Sequence, residues 1–258
     1  MLTEVTKDNY FTDTGHMSTS RFKRFLECEK LGMVGFGEPT EAMLVGSYVD
    51  AYVEGTLDEF IEENPSIMSS RGPTKGQLKA QFRKADEICE FIDNDSVLQD
   101  FLSGEKQVIM TGEIGGVPYK MMMDSYSPGI AINDLKVMAR ITDRSGEYYD
   151  FITQWRYDLQ GAIYQEIVYQ NTGERLPFYI VVVTKESPIN SAVVQIDQNT
   201  LDNALYEVEY SSKRYYDILN NLEPTNGCGK CHVCISNRVE TPIITLEELQ
   251  RKDEFESF

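Results

Sequence analysis

The sequence predicts an α/β protein, a mixed sheet with an antiparallel meander flanked by helices. Three observations carry this. Apolar residues recur at three- and four-residue intervals before residue 95 and again after residue 150, which is the helical period. From Lys106 the pattern changes to strand-length segments separated by tight-turn signals. Phe178 to Val183 is then a continuous apolar run of strand length, typical of a buried central strand.

Residues 1–17 read as an irregular lead-in. Ser18, Thr19 or Ser20 can cap a helix to about Leu31, with Phe22, Phe25 and Leu26 inward. Gly32 is the expected stop. After a loop with Gly35, Gly37 and Pro39, a second helix should start near Thr40 and carry Val45, Tyr48, Val49 and Tyr52. Residues 41–63 hold seven acids and no base, most of them on a solvated face. A flexible connection, 69–76, leads to an amphipathic helix over roughly 75–93, with Leu78, Phe82, Ala85, Cys89 and Ile92 inward. Val108 to Glu113 and Val117 to Asp124 read as a hairpin about Gly115-Gly116. The turn Ser127-Pro128-Gly129 leads to a third strand, Ile130 to Lys136. A helix over about 150–171 should carry Phe151, Trp155, Leu159, Ile163, Ile167 and Val168. Ala192 to Ile196 suits an edge strand, and Asp197 or Asn199 starts a helix to about Leu222. Residues 18–238 are thus read as one domain, which includes a cysteine cluster at 228–234, and residues 239–258 as a polar tail.

Composition narrows the chemistry. The formal charge of −18 argues against an all-over basic coat for nucleic acid. It leaves room for a hydrolytic site of carboxylates and divalent cations served by a local basic stripe. Two histidines, His16 and His232, exclude multi-histidine zinc hydrolases. Five cysteines, behind an N-terminus with no apolar signal core, favour thiols or metal ligands over a disulfide framework. No stretch approaches the roughly 20 apolar residues of a membrane helix. The expected location is cytoplasmic.

The most informative stretch is Asp124, then Asp134-Leu135-Lys136. Asp134 and Lys136 are two apart on a strand and share a face. The turn before them can bring Asp124 alongside. Two carboxylates at about 4 Å, in an effective dielectric near 20, repel by roughly 4 kcal/mol. A divalent cation removes that conflict, and all-oxygen ligands select Mg²⁺ or Mn²⁺. The bland alternative is an exposed ion pair on a strand edge. The apolar neighbours Ile130-Ala131-Ile132 and Val137-Met138 weigh against it, because burying unpartnered charge is costly.

Asp124…Asp134-x-Lys136 resembles the PD-(D/E)XK nuclease signature. Gln160-x-x-x-Tyr164 looks like the motif that follows it in the RecB-like and exonuclease VIII (RecE-type) branch. Gly46-Ser47-Tyr48-Val49-Asp50 resembles the branch's Gly-x-x-x-His/Asp helix, and Ser18-x-Ser20-x-Phe22 with Cys28 its opening helix. The resemblance spans roughly residues 18–238 and implies a restriction-endonuclease-like core. It also implies that Asp50, Asp124 and Asp134 ligate the metal, with the Leu135 carbonyl assisting. Lys136 would be the catalytic lysine, with Gln160 and Tyr164 supporting the site. Many relatives carry His in place of Asp50, and Met123 stands where the signature has proline. The family's additional glutamate has three candidates, Glu87, Glu90 and Glu105.

Cys228-Gly-Lys-Cys231-His-Val-Cys234 has metal-ligand spacing. Some RecB-like nucleases hold an iron–sulfur cluster with one early and three late cysteines, a layout that Cys28 and these three imitate. The family's late spacing is usually wider. Zinc on the three thiolates with His232 or Cys28, or a metal-free thiol-rich turn, are the alternatives. Lys75, Lys79 and Arg83 are spaced by fours and should share a helix face, as phosphate contacts or as a solvated stripe. Arg21, Lys23 and Arg24 form a second basic patch. The resulting expectation is a metal-dependent DNA exonuclease acting on linear duplex ends. By resemblance it serves phage-type recombination, alongside a single-strand annealing protein and as a homo-oligomer. A catalytically inactive nucleic-acid- or partner-binding protein on the same fold, and a metal-stapled interaction module, are the rivals.

Overall fold

The computed structural model describes residues 4–247. Ser18 caps α1 (Thr19–Glu27), its hydroxyl accepting from the Arg21 N–H. The expected single helix to Leu31 is interrupted. Cys28 is extended, and a separate turn, α2 (Glu29–Gly32), follows. Gly32 ends this pair for a reason other than a stop signal. A Cβ there would meet the Phe25 Cα at 2.5 Å, so glycine permits the close approach of α2 to α1.

Thr40 caps α3 (Glu41–Glu54), and α4 (Leu57–Glu63) follows after the left-handed Gly55. The helix expected from residue 75 is α5 (Ala80–Asn94). Residues 69–78 form a hydrogen-bonded turn instead, with Ser69 N–H on Gln77 O at 2.8 Å and Gly76 N–H on Ser69 O at 2.9 Å. Gly72 and Gly76 take positive φ there, which a helix does not tolerate. Asp95 then caps α6 (Ser96–Phe101).

The hairpin β1 (Val108–Ile114) and β2 (Val117–Met123) turns at Gly115-Gly116, both at positive φ. The expected three-stranded meander is split, and β1 and β2 form a two-stranded sheet of their own. Past Asp124 a short strand, β3 (Ser125–Ser127), pairs antiparallel in a separate four-stranded sheet, because the chain turns away at Asp124 before β2 can pair with β3's partner, β4 (Ala131–Met138). Ile130 is exposed just outside it. The expected helix over 150–171 is broken. α7 (Phe151–Gln154) ends, Arg156 takes a left-handed φ of 52°, and α8 (Tyr157–Thr172) begins. The break leaves Trp155 outside both helices and exposed. β5 (Phe178–Thr184) runs parallel to β4, and β6 (Ser191–Ile196) closes the sheet antiparallel at its edge. Asp197 caps the long α9 (Gln198–Leu219), and α10 (His232–Ser236) follows the first cysteines of the cluster.

The sheet order β3-β4-β5-β6 is mixed, as expected. Its strands alternate between two cores. Ile132, Phe178, Ile180 and Val182 face a core shared with α1, α8, α9 and the hairpin. Leu135, Val181 and Val183 face one shared with α3, α5 and α6. The period of two sets this division. It also aims Asp134 and Lys136 toward α8, on the same side as Ile132. Residues 4–17 carry no helix or strand. They are fastened to β2 by the buried Lys120, whose ammonium bonds Tyr10 O at 2.5 Å and Asp13 O at 2.7 Å. Residues 239–247 are exposed, and the rest of the expected tail lies outside the described residues.

Candidate active site

Asp124 sits where the chain leaves β2 and joins the central sheet. Its Oδ2 accepts the Leu135 N–H at 2.8 Å, which ties that junction to β4. Asp134 is 2% exposed. Its Oδ1 accepts from Gln160 Nε2 at 2.6 Å. Its Oδ2 makes no hydrogen bond but lies against the Lys136 ammonium in an ion pair. That ammonium also donates to the Leu135 carbonyl at 3.1 Å and lies 5.7 Å from the centre of the Tyr157 ring. One turn beyond Gln160, Tyr164 donates its hydroxyl to Met122 O at 3.1 Å. A single helix, α8, therefore holds both Asp134 and the end of β2.

Asp50 approaches from α3, which packs on β4 from the opposite layer. Burial first, then the charges of Asp134 and Glu54, push its carboxyl up to about 7, against the pull of Lys136. Burial also pushes Asp124 well above the usual carboxylate range. Asp134 and Asp50 add to that shift, and Lys136 opposes it. Burial alone would lower the Lys136 ammonium, but the charges of Asp134 and Asp124 outweigh it and keep the amine protonated. Three acids thus share one electrostatic neighbourhood with one strong cation, and two of them resist ionisation. Burial is the main cause in both, and like charge confined without enough countercharge adds to it.

The donor set suits a hard divalent cation. It offers only oxygens, one buried carboxylate oxygen has no hydrogen bond, and the Lys136 ammonium already rests on the same Asp134 and Leu135 oxygens. The three carboxylates do not draw their donor atoms to within 4.8 Å of one another. Among the described residues, the cysteine quartet is the group that does.

Glu54, Tyr10 and Lys106 were not singled out from sequence, and Lys23 was expected only as part of a basic patch on the first helix. Glu54 follows Asp50 by four on α3, a spacing that alone could have flagged it. It also pairs with Lys7. Lys23 on α1 donates to Trp155 O at 2.9 Å and lies 4.9 Å from the Tyr157 ring centre. Burial and the nearby Lys136 lower its ammonium to about 8. Burial raises the Tyr10 phenol and lowers the Lys106 ammonium, and both feel the charge of Asp124. Of the glutamates weighed from sequence, Glu87 pairs with Lys84 at 2.8 Å and Glu105 exchanges backbone bonds with Tyr126. Neither is among the main charges acting on Asp50 or Asp124, and Glu90 is likewise absent from them.

The basic stripe is not a continuous helix face. Lys75 lies in the turn before α5, Lys79 occupies the N-cap, and only Arg83 is helical. Lys79 pairs with Glu41 at 3.3 Å, and Arg83 bonds Leu78 O at 2.6 Å. Glu41 and Asp50 are nine residues apart on α3. At about 1.5 Å per residue, the stripe stands about 13 Å along that helix from Asp50. Cys28, Cys228, Cys231 and Cys234 converge beside α1 and α2, all as free thiols, while Cys89 is buried on α5 as expected. His232 is exposed and outside this group.

Fold and site together define a PD-(D/E)XK-type domain, and sequence comparison agrees. Residues 18–237 match the family described as "PDDEXK-like domain of unknown function (DUF3799)", and the chain belongs to that family. It is also similar to a crystal structure described as a "Putative exonuclease" from Eubacterium rectale. Identity is 42% and the TM-score 0.86, covering 96% of this chain and 98% of that one. A second solved structure, described as SSO0001, shares 16% identity at a TM-score of 0.29, too distant to inform the fold. No curated protein matches the sequence.

Proposed function

We propose that the chain is a metal-dependent deoxyribonuclease that hydrolyses phosphodiester bonds at linear duplex ends. The observation that carries the reading is the joint placement of Asp124, Asp134 and Lys136, with Asp134 fastened by Gln160. Asp50 completes the acidic set. The resemblance to a protein described as a "Putative exonuclease" supports the choice of exonuclease.

Asp50, Asp124 and Asp134, with the Leu135 carbonyl, would hold Mg²⁺ or Mn²⁺. When bound, such a cation polarises a phosphoryl oxygen and acidifies a water. The chain's own groups do the rest. Lys136, held protonated by Asp134 and Asp124, is placed to donate to the attacking water or to developing phosphate charge. Gln160 holds Asp134 in one rotamer, and Tyr164 holds the end of β2 that presents Asp124. Lys23 and Lys106 bring positive charge beside the acids, where a phosphate would otherwise be repelled. Lys75, Lys79 and Arg83 are proposed to contact phosphates farther along the strand. The resemblance to RecE-type enzymes extends the proposal to phage-type recombination, supply of single strands to an annealing protein, and a homo-oligomeric assembly.

The test is digestion of end-labelled linear DNA and closed-circular DNA with Mg²⁺, Mn²⁺ or EDTA. The expected outcome is metal-dependent loss of linear DNA only, abolished by Lys136→Ala. Equal products from wild type and Lys136→Ala would reject the site. DNA binding without products under any metal would leave a non-catalytic binder on the same fold.

A further inference from the structure

The cysteine cluster takes no part in the proposed hydrolysis, yet it is the most tightly drawn group of ligand-type side chains among the described residues. We propose that Cys28, Cys228, Cys231 and Cys234 hold one tetrahedral zinc ion rather than an iron–sulfur cluster, and that this ion clasps the segment after α9 to the α1–α2 corner.

Sulfur spacing carries the choice. Cys28 Sγ lies 3.6 Å from Cys234 Sγ and 3.7 Å from Cys231 Sγ. All four sulfurs lie within 4.8 Å of one another. A zinc–sulfur bond of about 2.3 Å gives a tetrahedral sulfur–sulfur edge of about 3.8 Å. An iron–sulfur cluster attaches each thiolate to a metal on a shared sulfide core, so its cysteine sulfurs stand farther apart than around one ion. Two edges match a mononuclear site, and the 4.8 Å limit on the others falls short of the wider separation a cluster imposes.

The backbone is shaped for the same purpose. Gly229, at a φ of 73°, folds Cys228-Gly-Lys-Cys231 into a knuckle. The Lys230 and Cys231 N–H groups both donate to Cys228 Sγ, at 3.4 and 3.2 Å, and the Cys228 N–H donates to Cys28 Sγ at 3.4 Å. Donors aimed at sulfur stabilise thiolate charge. Cys28 supplies the fourth ligand, a place the sequence left open between it and His232.

Apolar burial cannot hold this segment. α10 buries none of its residues. Besides the sulfurs, the segment's ties to the body include the Asn226 N–H, which donates to Glu29 at 2.5 Å, and the Pro224 carbonyl, which accepts from Arg214 at 2.8 Å. A cross-linking ion supplies what a small exposed segment lacks.

The test uses the untagged full chain, expressed with both metals available and purified without oxygen. Elemental analysis should find one zinc per chain, with no iron, no acid-labile sulfide and no visible absorption band. Titration with a mercurial should release that zinc as the four thiols react. Cobalt exchange should give the intense visible bands of a tetrahedral tetrathiolate. Cys234→Ser should lose zinc, while Cys89→Ser keeps it. Iron in place of zinc, with or without sulfide, would overturn the assignment. A metal-free chain with four freely reactive thiols would do the same. None of these readouts depends on nuclease activity, so the proposed hydrolysis can fail or stand separately.

Discussion

Asp134 and Lys136 show how a charged pair survives inside a sheet. Each has a specific partner, yet the acids around them outnumber the cation. Lys136→Ala should lower kcat by about 10²- to 10³-fold, the scale of losing one charge-stabilising donor. Circular dichroism on the same preparation checks that the fold remains. Gln160→Ala leaves Asp134 Oδ1 buried without its donor and should cost about 1–3 kcal/mol of stability. Because Gln160 acts through Asp134, kcat should fall while DNA Kd holds, as fluorescence anisotropy and single-turnover digestion can separate. Asp50 and Asp124, both raised by burial, make stability depend on pH in the same direction, and the window is defined for Asp50. The folded pKa of Asp50, about 7, lies above the unfolded value. Between those values the folded chain keeps a proton that the unfolded chain has released. The metal-free protein should therefore lose stability as pH rises toward 7, and lose no more from this group beyond it. Thermal melts with and without Mg²⁺ check this, the expected gain in Tm from Mg²⁺ being larger at pH 8 than at pH 5.

At the scale of the element, α8 is what turns a strand pair into a site. It lies close enough for Gln160 to reach Asp134 and for Tyr164 to reach β2. Gly161 permits that approach. A Cβ there would meet the Phe178 ring at 2.7 Å and Leu201 at 2.8 Å, both in the core. Helix propensity alone would favour Gly161→Ala by about 1 kcal/mol. The overpacking should reverse the sign, to a net loss of about 1–3 kcal/mol. Chemical denaturation reads that directly, and the displaced helix should weaken catalysis as well. The opposite layer is tied in a comparable way. Tyr48 on α3 donates to Asp86 on α5 at 2.5 Å, so the helix that presents Asp50 is pinned along its length.

Across the whole molecule, a net charge of −18 must coexist with a polyanionic substrate under the proposed reading. Local cations then matter more than the sum. Removing one phosphate contact lowers the salt dependence of binding by about one unit of slope. Lys75→Ala with Arg83→Ala should therefore flatten the plot of log Kd against log salt, while leaving the chemical step unchanged at saturating DNA. Unchanged slopes would assign both side chains to a solvated surface, in keeping with the pairs that Lys79 and Arg83 already make.

Local chemistry made much of this molecule readable in one dimension. Ser18, Thr40 and Asp197 cap helices because their oxygens meet backbone N–H groups a few residues on. Gly115-Gly116 turns the hairpin because both positions need positive φ. The two-residue spacing of Asp134 and Lys136 puts them on one face of any strand. What lay beyond the sequence depends on contacts distant in the chain. The break at Arg156 goes with ion pairs to Asp158 and to Glu207, far along the sequence on α9. The start of α5 is set by a turn folded against Ser69, so a run of basic residues spaced by fours became a turn, a cap and a single helical arginine. Lys23, Tyr10 and Lys106 reach the acids from three separate segments. The convergence of Cys28 with the late cysteines is a matter of sulfur-to-sulfur distances of a few ångströms, which spacing along the chain does not encode. Periodicity and capping are properties of neighbours; the charge balance of a buried site is a property of whatever the fold brings beside it.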